Sequence, residues 1–249
     1  MKLENRTILI TGGGSGIGFE IAKLLSLQNN KIIICGRSGE KLKKAIEEIP
    51  KGEYIVCDIT KGDEVAQLYQ TISNKFPSLS VLVNNAGVGF AYDPDNKNPL
   101  LDNARKEIET NYLSIIRMNE VFLPLLYKQK EAAIVHITSP LALAPSLSLP
   151  TYSASKAALH SYTKWMQQVL KGQTVKVFEA VPPVVETYLS GSLGAKNKMS
   201  ARSVAKAIIT GIRNDQMVIK IGIIKALFIL NRLIPKLGQK IINEATKLK

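Results

Sequence analysis

Tyr152 and Lys156 are the two residues of this chain whose types and spacing best suit proton transfer. Residues four apart on a helix lie one turn apart on the same face, so the phenol and the ammonium would share one space. At an effective dielectric of ~20, two charges ~4 Å apart interact by ~4 kcal/mol, and ~1.4 kcal/mol shifts a pKa by one unit. We therefore expect Lys156 to bring the pKa of Tyr152 toward neutrality, although the spacing alone is common on surface helices.

A glycine-rich turn could hold the cofactor for such a reaction. It follows a short apolar strand, Thr7 to Thr11, and precedes a helical pattern that begins near Phe19. The turn consists of Gly12, Gly13, Gly14, Ser15, Gly16, Ile17 and Gly18. Glycines permit the tight turn and let the backbone approach a pyrophosphate, whose charge is met by free N–H groups at the helix start. The placement predicts dinucleotide binding.

Two polar residues follow the next predicted strands. Arg37 comes after Lys31 to Cys35, where an acid would bind a ribose 2′-hydroxyl and an arginine would accommodate a 2′-phosphate. Arg37 therefore favours NADP(H), with NAD(H) as the alternative cofactor. The competing interpretation is that Arg37 is a solvated residue at a strand end with no role in binding. Asp58 ends the third strand, where it could accept from an adenine amino group or cap the helix of residues 61–75.

Amide and hydroxyl side chains mark three further positions. Asn84 and Asn85 end the fourth strand, where amides either tie strands together or face a ligand, and the structural role is favoured for Asn85. Asn111 lies in a predicted helix from Leu101 to Lys128, where a buried amide either holds open a polar site or bends the helix. Ser139 ends the fifth strand, and an apolar, proline-bounded loop follows it.

Strands and helices alternate along the 249 residues, of which 45% are hydrophobic. This pattern predicts an α/β fold, a doubly wound, Rossmann-type parallel sheet of about seven strands in three layers, with ligands at the carboxyl ends of the strands. We expect one domain over residues 1–222, with a loop at 187–200 covering the substrate. Cys35 and Cys57 are expected to be buried thiols.

Taken in order, the glycine turn, Asn84-Asn85-Ala86-Gly87, Asn111, Ser139 and Tyr152-x-x-x-Lys156 resemble the short-chain dehydrogenase/reductase family. The likeness covers residues 5 to about 220. It implies that Tyr152 is the general acid-base residue, that Lys156 lowers its pKa and binds the nicotinamide ribose, that Ser139 bonds the substrate carbonyl and that Asn111 holds a water molecule.

The same resemblance implies a set of cofactor contacts. These are Gly12, Ser15, Gly16, Ile17, Gly18, Arg37, Asp58, Asn84, Ala86, Gly87, Tyr152, Lys156 and Thr187. Pro183 departs from the family pattern, since the residue after Pro182 is commonly glycine, and proline fixes φ and removes an N–H beside the nicotinamide. Ser15 replaces a basic residue found in some phosphate-preferring relatives. The stretch from Pro182 to Thr187 also resembles a bacterial oxidoreductase of this family.

The formal charge of +13 is concentrated toward the carboxyl end. Residues 220–249 contain seven Lys or Arg and one acid, Glu244. The segment 223–249 is amphipathic and too short and charged to span a bilayer, which needs ~20 apolar residues. We favour a helix that folds over the substrate cleft or a partner subunit, and the alternative is peripheral contact with an anionic membrane.

The leading hypothesis is an NADP(H)-dependent oxidoreductase that acts on a carbonyl or secondary alcohol. The alternative is an NADP-binding regulatory or membrane-associated interaction protein with little turnover, and Pro183 is the feature that favours it. A cytoplasmic location and a homodimer or homotetramer are expected. We assign no metal ligands and expect no nucleic-acid partner, because the basic residues follow no recognition motif.

Overall fold

The computed structural model describes residues 1–92, 99–185 and 198–247. Its centre is a parallel sheet of seven strands in the order β3-β2-β1-β4-β5-β6-β7. The strands are β1 (Thr7–Thr11), β2 (Lys31–Gly36), β3 (Gly52–Val56), β4 (Leu79–Asn84), β5 (Ala132–Ile137), β6 (Val175–Val181) and β7 (Val218–Lys220). The order reverses between β1 and β4, and ligands bind beside such a switch point in open α/β sheets.

Helices cover both faces of the sheet. They are α1 (Gly16–Ser26), α2 (Gly39–Ile46), α3 (Gly62–Lys75), α4 (Leu100–Ile108), α5 (Ser114–Tyr127), α6 (Pro150–Val169), α7 (Ala201–Arg213), α8 (Ile224–Leu233) and α9 (Pro235–Ala245). One apolar core joins the sheet to α1, α2 and α7, and the other joins it to α3, α5 and α6. The doubly wound Rossmann-type fold predicted from the sequence is confirmed.

The central strands are apolar almost throughout because both of their faces are covered. Every residue of β1, β4 and β5 is buried. Burial on two faces explains why these strands appear in the sequence as continuous apolar runs rather than as alternating patterns.

The long helix predicted over residues 101–128 is divided in two. A π-helical turn, Glu109–Leu113, separates α4 from α5 and places Asn111 fully inside the protein. The Asn111 amide bonds to the backbone of Val88, so the side chain that the sequence marked as unusual lies at the irregular turn. Such π turns are frequent at functional sites.

The carboxyl-terminal helices α8 and α9 pack over the carboxyl edge of the sheet. Ile224, Leu227 and Ile242 join a third apolar cluster with Leu141 and Leu149 from the loop that follows β5. Among the described residues, no helix combines the length and hydropathy that crossing a bilayer requires.

Candidate active site

A cleft of about 2490 Å³ runs along the carboxyl ends of the strands. Its walls are the glycine turn, the segments that follow β3, β4, β5 and β6, the start of α6, and the helices α8 and α9. A pocket for one small molecule is typically ~300–1,000 Å³, so this cleft has room for a dinucleotide together with a substrate.

The glycine turn is shaped by close backbone contacts. Gly12 has φ +65, and a Cβ there would lie 2.9 Å from Cα of Ala86. Gly18 packs on Asn85, since its Cβ would lie 2.4 Å from the Asn85 Nδ2. Gly12, Ser15, Gly16 and Ile17 line the cleft, whereas Gly18 lets α1 pack closely against Asn85, in the segment that follows β4.

The amino end of α1 is suited to an anion. Its first turn begins Gly-Ile-Gly-Phe and carries no carboxylate, so the positive end of the helix is not neutralised. Ser15 precedes the helix, and its hydroxyl makes no capping hydrogen bond with the described residues. The N–H groups and this hydroxyl are therefore available to phosphate oxygens.

Arg37 and Asp58 lie together at the far end of the cleft, after β2 and β3. Asp58 Oδ1 accepts from the Thr60 N–H at 3.0 Å and from the Thr60 hydroxyl at 2.8 Å. It forms a local turn and does not cap α3, whose N-cap is Lys61. Lys41, which the sequence interpretation missed, lines the cleft from the first turn of α2, and its place four residues after Arg37 was the available signal.

Asn84 is not brought to the cleft. Its side chain is buried, and its Nδ2 donates to Asn119 Oδ1 at 2.9 Å on the α5 side of the sheet. The neighbouring Asn85 ties the strand to the glycine turn by donating to the backbone oxygens of Thr11 and Gly12. The alternation of side chains along an extended chain explains why adjacent amides serve different faces.

Ala86 and Gly87 follow Asn85 along the cleft wall. The Ala86 N–H donates to the Thr11 hydroxyl at 3.0 Å. A Cβ at Gly87 would lie 3.1 Å from Asn111 Oδ1 and 3.6 Å from Lys156 Nζ, so glycine allows the chain to pass close to both.

Tyr152, Ser139 and Lys156 meet in the middle of the cleft. The first turns of α6 present Tyr152 and Lys156 on one face, and Lys156 Nζ lies 5.8 Å from the centre of the Tyr152 ring. Ser139 comes from the end of β5 and hydrogen-bonds Tyr152. Lys156 is 4% exposed and donates to the Ile137 carbonyl at 2.9 Å.

The electrostatics of this group differ from the sequence expectation. Burial raises the pKa of Tyr152 to about 12, the Ser139 hydrogen bond opposes that rise, and the charge of Glu107 adds to it. Burial also lowers the pKa of Lys156 to about 8. The expected shift of the Tyr152 pKa toward neutrality is not met in this structure, because burial raises that pKa and Lys156 is not among the groups that lower it.

Asn111 connects the π turn to α6. Its Oδ1 accepts from the Val88 N–H at 2.9 Å, and its Nδ2 donates to the Val88 carbonyl at 2.8 Å and to the Ser155 hydroxyl at 2.9 Å. Ser155 in turn donates to the Tyr152 carbonyl. The amide thus holds the segment after β4 against the turn of α6 that carries Tyr152.

Glu107 is a second residue that the sequence interpretation missed. This carboxyl group of α4 is fully buried, and its Oε1 accepts from the Phe90 N–H at 2.8 Å. Burial raises its pKa, and hydrogen bonds from Thr151 and Phe90 oppose the rise. The signal in the sequence was an acid one helical turn before Asn111, on the face that points inward.

Pro182 and Pro183 line the cleft directly after β6. Thr187 and most of the expected cover loop, 187–200, lie outside the described residues. Met199 and Ser200 follow that gap, and the Met199 N–H donates to the Val184 carbonyl at 3.2 Å.

Comparison of the sequence with known proteins gives a consistent result. A family model described as short chain dehydrogenase matches residues 6–198. The uncharacterized oxidoreductase DltE of Bacillus subtilis (strain 168) is 39% identical over 205 residues, which cover 82% of this chain and 81% of that protein. An uncharacterized oxidoreductase of Staphylococcus saprophyticus is 28% identical over 225 residues, or 88% and 95% of the two chains.

Solved structures share the fold. A short chain dehydrogenase from Burkholderia cenocepacia J2315, in complex with NADP, superposes with a TM-score of 0.85 at 23% identity, over 97% of this chain and 99% of that one. One from Burkholderia phymatum, in complex with NAD, gives 0.85 at 20% identity, over 100% and 99%. Because the family model spans residues 6–198 and a relative is 39% identical, this chain belongs to the short-chain dehydrogenase family and is an enzyme of that family.

Proposed function

We propose that this enzyme is an NADP(H)-dependent oxidoreductase of carbonyl compounds or secondary alcohols, with Tyr152 as the general acid-base residue. The observation that carries the proposal is the meeting of Tyr152, Ser139 and Lys156 in the same cleft as an anion-suited glycine turn. The nicotinamide supplies or accepts hydride when it is bound.

The residues of the chain would supply orientation and a proton. Ser139 would donate a hydrogen bond to the substrate oxygen beside Tyr152, and the phenol would transfer its proton to that oxygen. A phenol with a pKa of about 12 is protonated at neutral pH, which suits proton donation during carbonyl reduction. Lys156, buried and cationic below about pH 8, would favour the phenolate that this transfer leaves behind.

The cleft fits the phosphorylated cofactor at both ends. A side chain on Gly12 would collide with the backbone of Ala86, and the free amino end of α1 can take a pyrophosphate. Arg37 and Lys41 lie at the end of the cleft where the 2′-phosphate is expected, and Gly36 stands at the end of β2 where an acid would bind a 2′-hydroxyl. The NADP complex of the Burkholderia cenocepacia protein supports this choice, and the NAD complex of the second relative keeps NAD(H) as an alternative.

Replacing Tyr152 by Phe tests the chemical role. The variant lacks the phenolic proton, so we expect kcat for NADPH oxidation with a responsive carbonyl to fall by about 10²–10⁴-fold. NADPH affinity, measured by nucleotide fluorescence, should change little. Equal kcat in the variant and the wild type would remove Tyr152 from the mechanism.

Arg37→Ala tests the cofactor preference. Loss of the guanidinium should raise KM for NADPH by about tenfold or more, since a charge-assisted contact to phosphate contributes ~1.5–3 kcal/mol, and should leave KM for NADH nearly unchanged. Lys43→Ala is the matched control, because Lys43 is exposed on α2, the helix that follows Arg37, and does not line the cleft. Equal effects on NADPH and NADH would contradict the assignment of Arg37.

A further inference from the structure

The outward side of α8 and of the α8–α9 corner carries exposed apolar side chains that are members of none of the three apolar cores. Ile229 is 62% exposed, Leu233 is 73% exposed and Ile234 is 52% exposed. They lie opposite Ile224 and Leu227, which are buried against the cleft. The segment is therefore apolar on two opposite faces. Packing over the cleft explains the apolar residues of the inner face but not those of the outer one.

Cations flank this apolar surface. Lys225, Ile229 and Leu233 are spaced four apart, so they follow one another along one face of α8, and Arg232 lies three residues from Ile229. Lys236, in the first turn of α9, is also exposed. We call Ile229, Leu233, Ile234, Lys225, Arg232 and Lys236 together the outer face.

The positive charge of the outer face favours some binding partners over others. From Lys220 to Lys247 the chain has one acid, Glu244. A second copy of the same face would bring three cations against three cations, which disfavours self-association through it. An anionic lipid bilayer suits both the cations and the apolar side chains of this face, because Lys and Arg contact lipid headgroups while Leu and Ile enter the acyl boundary.

We propose that the outer face docks this enzyme on anionic lipid bilayers as a peripheral protein. Docking would set α8 and α9 between the bilayer and the cleft, since their inner faces line that cleft. The proposal concerns binding and is independent of the cofactor and of turnover, so it can fail while the proposed oxidoreductase function holds.

Sedimentation of the full chain with vesicles tests the proposal. Vesicles that contain phosphatidylglycerol should carry the protein down at low ionic strength, vesicles of phosphatidylcholine alone should not, and added salt should weaken the binding. The triple variant Lys225→Glu, Arg232→Glu, Lys236→Glu should lower the partition coefficient by at least about a hundredfold, because the loss of each cation near an anionic surface costs about fivefold and the added carboxylates are repelled. Absence of wild-type binding to the anionic vesicles would overturn the proposal.

A matched charge control separates the outer face from net charge. Lys128, Lys130 and Lys171 are exposed near the amino ends of β5 and β6, at the opposite edge of the sheet. Lys128→Glu, Lys130→Glu, Lys171→Glu changes the net charge equally and should retain most of the binding. If both triple variants lose binding equally, the attraction is unspecific and the outer face is not the docking site.

A second pair of variants tests the apolar contribution. Leu233→Ser should weaken vesicle binding by about tenfold, whereas Leu27→Ser, at a side chain 68% exposed beside the end of α1, should not. Melting curves by circular dichroism establish that each variant is folded. Equal vesicle binding by Leu233→Ser and the wild type would contradict insertion of Leu233 into the bilayer. If the wild type instead self-associates without binding vesicles, and Leu233→Ser does not self-associate, the outer face belongs to a contact with a second copy.

Discussion

Tyr152 lies in an environment that keeps its phenol protonated at neutral pH. Burial raises the pKa of the phenol, the Ser139 hydrogen bond opposes the rise, and the charge of Glu107 adds to it. Lys156 adds a cation on the next turn, and burial lowers its own pKa to about 8. A protonated phenol suits carbonyl reduction, whereas alcohol oxidation requires its conjugate base, so the two directions should depend differently on pH.

Glu107→Gln should change that dependence. Below about pH 7 Lys156 keeps most of its charge, because its pKa is about 8. Over that range the oxidation rate should rise with pH, since the phenolate fraction grows as the pH approaches the pKa of Tyr152. Removing the Glu107 charge lowers that pKa, so the variant should oxidise an alcohol faster at a given pH and change less in carbonyl reduction. The measurement is kcat/KM against pH in both directions.

The control for this prediction is Glu120→Gln. Glu120 is exposed on α5 and acts electrostatically on Tyr162 instead of Tyr152. Glutamine at position 107 still offers an oxygen to the Phe90 N–H, so the fold of this wall should be kept. The same pH profile for Glu107→Gln and Glu120→Gln would show that Glu107 does not act on the phenol.

Two irregular elements position the site within an otherwise regular fold. The π turn brings Asn111 to Val88 and Ser155, and the glycine turn brings Gly12 and Gly18 against the segment that follows β4. Both irregularities join the segment after β4 to a neighbouring element through an asparagine side chain, Asn111 in the first case and Asn85 in the second. Through the segment after β4, these contacts link the glycine turn to α6 across the cleft.

Gly18→Ala tests the packing of the glycine turn. The added Cβ would lie 2.4 Å from Asn85 Nδ2 and 2.7 Å from the Gly12 carbonyl oxygen, so we expect the free energy of unfolding to fall by about 1–3 kcal/mol. Gly14→Ala is the matched control, since its Cβ would meet nothing nearer than 3.5 Å. Urea unfolding measures both, and equal stabilities would mean that α1 shifts freely to accept the methyl group.

At the scale of the whole molecule, α8 and α9 complete the cleft without joining the two main cores. They pack instead on the apolar cluster formed with the loop after β5 and the end of β6. We call α8 and α9 together the roof of the cleft, and we expect it to open locally without the sheet. The expected assembly as a homodimer or homotetramer, and the expected effect of Pro183 on turnover, stay predictions.

Leu227→Ala should loosen the roof more than the sheet. Leu227 is buried in the third cluster, and truncating such a side chain typically costs ~2–5 kcal/mol. We expect faster amide hydrogen exchange in α8 and α9 with little change in β1 and β4. Leu233→Ala, on the same helix but 73% exposed, is the control and should leave exchange unchanged. Faster exchange throughout the sheet would show that roof and sheet unfold together.

The sequence by itself determined the architecture and the position of the cleft. Alternating apolar strands and helices imply a parallel doubly wound sheet, and parallel strands bring their carboxyl ends to one edge, which placed the glycine turn, Ser139, Tyr152 and Lys156 together. These inferences needed only local periodicity and chain order.

Only the tertiary structure decided the environment of each side chain. It turned Asn84 toward Asn119, placed the unpredicted Glu107 near Tyr152, and buried the phenol enough to raise its pKa. It also left Leu233 exposed while Leu227 covers the cleft. The physical reason is that hydration and facing direction depend on neighbours from distant parts of the chain, which neither spacing nor composition records.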